Sequence, residues 1–192
     1  FTVSMTEYYF DIETVGTDPL MDKIIAIQYQ QLAGGRPVGD FHVLKEWEEG
    51  EKRIVERILE EKVLDPHWDF VPIGNNLRFD IIFVMEKAQQ YGLQEWDAGK
   101  VKQFFFLKPM IDIRSVLILM NAGRFKGSGL DEFTGKGKGV QVPIWYREKR
   151  FDDIIEYIET EKDETLALYN EVGSLLEAFG RRKRKPAKVP EA

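Results

Sequence analysis

Tyr8-Tyr9-Phe10-Asp11-Ile12-Glu13-Thr14 decides the reading of this chain. Aromatic and β-branched residues surround two acids spaced two apart, which is the pattern of a strand. A strand alternates faces, so Asp11 and Glu13 point one way and Phe10 and Ile12 the other. Two carboxylates side by side on an apolar strand repel each other and resist desolvation. A divalent cation bound between them removes both problems, and hard oxygen ligands suit Mg²⁺ or Mn²⁺. Standing alone, such a spacing is common and reads as a strand end at the surface. The rest of the chain gives it weight.

Outward from this strand, Val15-Gly16-Thr17-Asp18-Pro19 reads as a turn. Residues 23–32 (KIIAIQYQQL) alternate as a second strand, Ala33-Gly34-Gly35-Arg36-Pro37 reads as a hairpin turn, and residues 38–44 as a third strand. Ile54, Val55, Ile58, Leu59 and Val63 give residues 48–63 helical spacing. Residues 71–74 read as a short buried strand, 77–91 as a helix ended by Gly92, 109–113 as a fifth strand and 115–121 as a further helix. Residues 123–150 are rich in Gly and Lys and read as turns. Residues 152–179 read as one long helix with Ile154, Ile155, Ile158, Thr165, Leu168, Val172, Leu175 and Phe179 inward. Strands followed by helices interleaved with strands make an α/β pattern. Residues 1–180 read as one domain and residues 181–192 as a basic tail.

Two further stretches carry chemistry. Asn75-Asn76-Leu77-Arg78-Phe79-Asp80 follows the short strand. Asp80 falls in the first turn of a helix, where the helix dipole favours acids. The same strand equally delivers it to the sheet edge where Asp11 and Glu13 stand. Asn76 either caps the helix or reaches a ligand. On the long helix, Tyr157 and Glu161 are four apart and share a face. That face is the inward one, and Asp163 points elsewhere. Gly127-Ser128-Gly129 and Gly135-Lys136-Gly137-Lys138-Gly139 invite a phosphate-loop reading. The glycine spacing is one residue too long for it, and Gly137 stands where Ser or Thr is required. Trp68, Trp96 and Phe104 to Phe106 read as core.

The ordered set is FDIET at residues 10–14, N-x-x-F-D at residues 76–80, then a tyrosine with an acid four later. It resembles the DEDD (DnaQ-like) superfamily of 3′–5′ exonucleases, and within it the tyrosine-type proofreading domain of family B DNA polymerases. Met110-Ile111-Asp112-Ile113 and Phe125-Lys126-Gly127-Ser128-Gly129-Leu130-Asp131 are similar to that family too. The resemblance implies a ribonuclease H-like fold: a five-stranded mixed sheet with an antiparallel second strand, flanked by helices. It implies a catalytic set of Asp11, Glu13, Asp80, Tyr157 and Glu161. The four acids would hold two Mg²⁺ or Mn²⁺ ions, and Tyr157 would orient the attacking water. Thr14, Asn76, Phe79 and Lys126 are the candidate nucleic-acid contacts. The family carries aspartate as its last acid, where Glu161 stands here. Thr165, Leu168 and Tyr169 fit the family's frame when counted from Glu161, which leaves Asp163 as the runner-up. No histidine follows His67, so the version of the family with a histidine general base is absent.

Composition bounds the rest. The 192 residues, 43% of them apolar, suffice for one globular core. Cysteine is absent, which excludes disulfides, thiol catalysis and Cys-based zinc sites. The two histidines, His42 and His67, argue against a His-rich zinc site. No apolar run approaches the roughly 20 residues needed to span a bilayer. The N-terminus is too short and too weakly basic for a signal peptide, so a cytoplasmic protein without membrane contact is expected. The net charge of −6 divides into +5 for residues 181–192, with six basic residues and one acidic, and −11 for the remainder. A nuclease can be acidic overall when cations bridge carboxylate to phosphate. The run Arg181-Arg182-Lys183-Arg184-Lys185 either attracts a phosphate backbone or caps the final helix. The expected activity is release of 5′-mononucleotides from single-stranded or frayed DNA ends. The alternatives are a short-RNA exonuclease and a catalytically weak nucleic-acid or partner-binding domain of the same fold.

Overall fold

The structure is a computed structural model that describes residues 6–134 and 139–183, with the side chains of residues 179 and 181–183 left out. Of the expected basic tail, residues 184–192 lie outside the described residues.

Strand β1 (Glu7–Thr14) is the centre of a mixed sheet. It pairs antiparallel with β2 (Ile24–Ala33) along its whole length. The third strand of the meander is interrupted. Its pieces, β3 (Arg36–Pro37) and β4 (His42–Lys45), both pair antiparallel with β2. Gly39, at φ +83°, turns the chain out of the ladder between them. On the other side of β1, β5 (Val71–Gly74) and β6 (Ile111–Asp112) follow in parallel. With β3 and β4 taken as one broken strand, this is the expected five-stranded sheet with its second strand antiparallel. Gly74 closes β5 against β1. A Cβ there would lie 2.5 Å from the Phe10 carbonyl oxygen, so the close approach requires glycine.

A bulge sets the register of β2. Glu13 pairs with Ala26 and Thr14 with Ile24, leaving Ile25 as the extra residue. Ile24 and Ile27 therefore belong to one core, while Ile25 and Ala26 belong to the other. The first core joins Phe10, Ile12 and Leu44 to Ile54, Ile58, Ile81 and Phe83. The helix expected over residues 48–63 is broken into α1 (Glu46–Glu49) and α2 (Glu51–Glu60), because Gly50 between them takes φ +84°. Helix α3 spans Leu77–Gln90. Buried Glu51 ties these elements together: it accepts from the Ile24 N–H at 2.7 Å and from the Tyr91 hydroxyl at 2.6 Å.

Two helices form where the sequence pattern assigns none. One is α4 (Ala98–Leu107), capped by Asp97, whose Oδ1 accepts from the Lys100 N–H at 2.9 Å. After α5 (Arg114–Met120) comes the other, α6 (Val142–Arg147), with a proline in its first turn, where the missing N–H costs nothing. Helix α7 (Phe151–Lys183) crosses the opposite face of the sheet. Ile154 and Ile158 pack there with Ile25 and Val142, and Leu166 packs with Tyr9 and Ile73. The inward row does not continue as expected: Leu175 is 67% exposed, because α7 has by then run past the sheet. Phe106, at 86%, and Trp68, at 47%, are likewise exposed rather than core. Among the described residues, no helix is long and apolar enough to cross a membrane.

Lys108 is 5% exposed. Its Nζ donates to the Asp65 carbonyl at 2.6 Å and lies 5.7 Å from the Phe70 ring centre and 6.0 Å from that of Phe104. Burial pushes its pKa down to about 8. Between pH 8 and its ordinary value the unfolded chain holds the proton that the folded chain has released. The stability contributed at Lys108 therefore rises with pH through that window. Relative to Lys108→Met, the wild type is expected to gain about 1–2 kcal/mol between pH 8 and 10, as read by urea unfolding at each pH.

Candidate metal centre

The period of two along β1 puts Tyr9, Asp11 and Glu13 on the face that α7 crosses. Helix α7 brings Glu161 down onto the same spot, and Glu161 is 6% exposed. Carboxylate oxygens of Asp11, Glu13 and Glu161 all lie within 4.8 Å of one another. Asp80 joins them from the first turn of α3 and is 2% exposed. Its position has a simple cause. Strand β5 pairs with β1 only over Glu7–Tyr9, so the edge of β1 beyond that point is open. Asp80 fills the gap, its Oδ1 accepting from the Ile12 N–H at 3.0 Å.

Burial pushes the Asp80 pKa up to about 7. Hydrogen bonds from the backbone and with the Asp11 carboxyl work the other way, and the charge of Glu161 adds to the rise. Tyr157 lies one helical turn before Glu161, buried, with its hydroxyl bonded to the Glu161 carboxyl. Its pKa is driven well above the ordinary tyrosine value by burial first, then by the negative charges of Glu161 and Glu13. Tyr157 also packs on Trp145, with ring centres 6.1 Å apart. A Cβ added at Gly139 would stand 3.2 Å from its hydroxyl oxygen, so the start of the 139–141 turn presses on this oxygen.

The five residues of the expected catalytic set thus converge. Asp163 does not: its side chain is 74% exposed and pairs with Lys162 at 3.2 Å. The expected strand contacts are more scattered. Thr14 is half-buried, and its hydroxyl donates to the Gly16 carbonyl. Asn76 is exposed at φ +64°. Its side chain makes no cap bond, so of the two readings the cap fails; its N–H donates to Asp112 Oδ1 at 2.9 Å. Phe79 is half-buried against Phe83. Lys126 lies on the surface turn after α5, its carbonyl accepting from Asn121 Nδ2.

The sequence reading missed Gln28. It pairs directly with Asp11 across the ladder and is fully buried. Its Nε2 donates to Asp11 Oδ2 at 2.8 Å and reaches Glu13 Oε1 at 3.5 Å. A signal was present: Gln28 and Gln30 alternate in a strand that is otherwise apolar at its start, and they share the sheet face that carries the two acids of β1.

No family model and no curated protein matches the chain. Solved structures do. Exonuclease I of E. coli in complex with a dT13 oligonucleotide shares 14% identity at a TM-score of 0.59, over 94% of this chain and 44% of that one. The zinc-bound form of the E. coli exonuclease I complex with single-stranded DNA shares 15% identity at 0.59, over 89% and 41%. Exonuclease I with SSB and an inhibitor shares 15% at 0.59, over 89% and 42%. The chain spans under half the length of these chains. The likeness establishes the fold as ribonuclease H-like.

Asp80 gives the centre a pH signature in the absence of metal. The folded chain keeps its proton up to about pH 7, whereas the unfolded chain loses it near the ordinary value of 3.8. Stability present at low pH is therefore lost as pH rises from about 4 to 7, and the loss is complete above that. In chelated protein, wild type is expected to lose roughly a few kcal/mol relative to Asp80→Asn across this window, by denaturant titration. Equal pH profiles for the two proteins would contradict it.

Proposed function

We propose that the chain is a metal-dependent 3′–5′ exonuclease of the DnaQ-like, tyrosine type, releasing 5′-mononucleotides from single-stranded or frayed DNA ends. One observation carries the reading: Asp11, Glu13 and Glu161 meet within 4.8 Å beside buried Asp80. They do so on a fold shared with exonuclease I structures that hold DNA. The donor set fits Mg²⁺ or Mn²⁺, because each candidate ligand atom is a carboxylate oxygen and the chain has no cysteine to favour a softer ion. Asp11, Glu13, Asp80 and Glu161 would hold the ions. Divalent cations, when bound, supply charge neutralisation at phosphoryl oxygens and a lowered pKa for water.

The chain's own groups do the rest. The Tyr157 hydroxyl keeps its proton at neutral pH, since burial and its acidic neighbours raise its pKa. It therefore orients water by hydrogen bonding and does not act as the base. Water adds to the terminal phosphorus, the bond to the 3′-oxygen breaks, and that oxygen leaves protonated as the new 3′ end. Thr14, Asn76, Phe79 and Lys126 would contact the strand. A second reading has one feature in its favour: Glu161 is a methylene longer than the aspartate of the family that the sequence resembles. Under it, the chain binds single strands and leaves them intact.

Chelated protein supplied with Mn²⁺ is expected to shorten a 5′-labelled single strand from its 3′ end, and DNA faster than matched RNA. Asp11→Ala and Glu161→Ala are expected to lose roughly 100-fold or more in rate. Asp163→Ala should stay near wild type, and Tyr157→Phe should lose roughly tenfold in rate at saturating Mn²⁺. A wild type that binds the strand without consuming it would favour the second reading.

A further inference from the structure

Gln28 stands where stability alone disfavours a glutamine. It is fully buried on β2, between β1 on one side and β4 on the other. Its Oε1 is buried without a hydrogen-bond partner. An orphaned buried acceptor is destabilising, and an apolar side chain of similar size would avoid that cost. What the glutamine supplies is its other end. Nε2 donates at 2.8 Å to Asp11 and lies 3.5 Å from Glu13, so one amide serves both acids of the pair. The amide cannot turn over without aiming Oε1 at two carboxylates.

We propose that Gln28 is a positioning residue for the Asp11–Glu13 pair, fixing the two carboxylates in the arrangement that receives a divalent cation. This rests on the reading of the acidic cluster as a metal centre. Three features suit Gln28 to the task. Both neighbouring ladders lock its backbone, so the donor is presented from a rigid strand. Its reach matches a directly opposite cross-strand partner, because Gln28 and Asp11 are paired residues. Finally, the amide is neutral. A lysine or arginine there would hold the carboxylates by neutralising them and would compete with the cation. The glutamine orients them and leaves their charge for the metal.

The test is Mn²⁺ binding by the full chain without nucleic acid, by calorimetry or electron paramagnetic resonance, for wild type and Gln28→Met. Methionine keeps the volume and removes the donor. The expected result is a Kd for Mn²⁺ raised roughly 10- to 100-fold in Gln28→Met, with urea stability equal to or above wild type. Exonuclease turnover at low Mn²⁺ should fall and recover as Mn²⁺ is raised. Equal Mn²⁺ affinity in the two proteins would overturn the positioning role while leaving the metal centre intact. A wild type that binds no Mn²⁺ would overturn both. A readout that needs no variant guards against misfolding of Gln28→Met: the side-chain amide resonances of Gln28 in wild type, titrated with Mg²⁺. They are expected to be protected from solvent exchange and to shift as Mg²⁺ binds. Resonances unmoved at saturating Mg²⁺ would also overturn the proposal.

Discussion

The rest of this structure is arranged around the burial of like charges. Asp11, Glu13, Asp80 and Glu161 come from two neighbouring positions on one strand and from two separate helices, and three of the four are less than one-tenth exposed. Burial and mutual repulsion both act against such a gathering. The consequences are legible in the raised pKa values of Asp80 and Tyr157. Part of the cost is offset by donors that the fold supplies at short range: the Ile12 N–H to Asp80 and the Gln28 amide to Asp11. A cation would offset more of it, and its binding would then be coupled to the stability of the fold.

The scaffold supplies rigidity where the acids converge. Strand β1 is held on one side by β2 along its whole length and on the other by β5 for only three residues. The early end of β5 matters as much as the pairing. It opens the edge of β1 at Ile12, which lets a helix-borne carboxylate take a strand N–H. The bulge at Ile25 adds a second adjustment. It lets Ile24 and Ile27 share one core while Ile25 and Ala26 join the α6–α7 side.

Helix α7 has two regimes. Its first half carries Ile154, Tyr157, Ile158, Glu161 and Thr165, all buried against the sheet or the acids. Its last turns run beyond the sheet, with Leu175 and Leu176 exposed. The acid on this helix thus sits in its packed part, where the register is fixed by burial on both sides of it. Asp163, two residues on, falls on the outer face for the same reason: two steps along a helix turn a side chain through about 200°.

The sequence by itself determined the face of three of the acids, Asp11, Glu13 and Glu161. Period two on β1 put Asp11 with Glu13, and a spacing of four put Glu161 with Tyr157, because those periods belong to the backbone and not to the fold. It also determined the long, strongly patterned elements: β1, β2, α3 and the packed half of α7. The break at Gly50, the two extra helices α4 and α6, and the exposure of Leu175 were decided by tertiary packing. Short elements carry too few apolar positions to show a period, and a pattern does not say where the sheet beneath a helix ends. Gln28 belongs to this second group. Its residue type is plain in the sequence, but its partner is set by the β1–β2 register, and a one-residue slip would have sent the same amide to the other face.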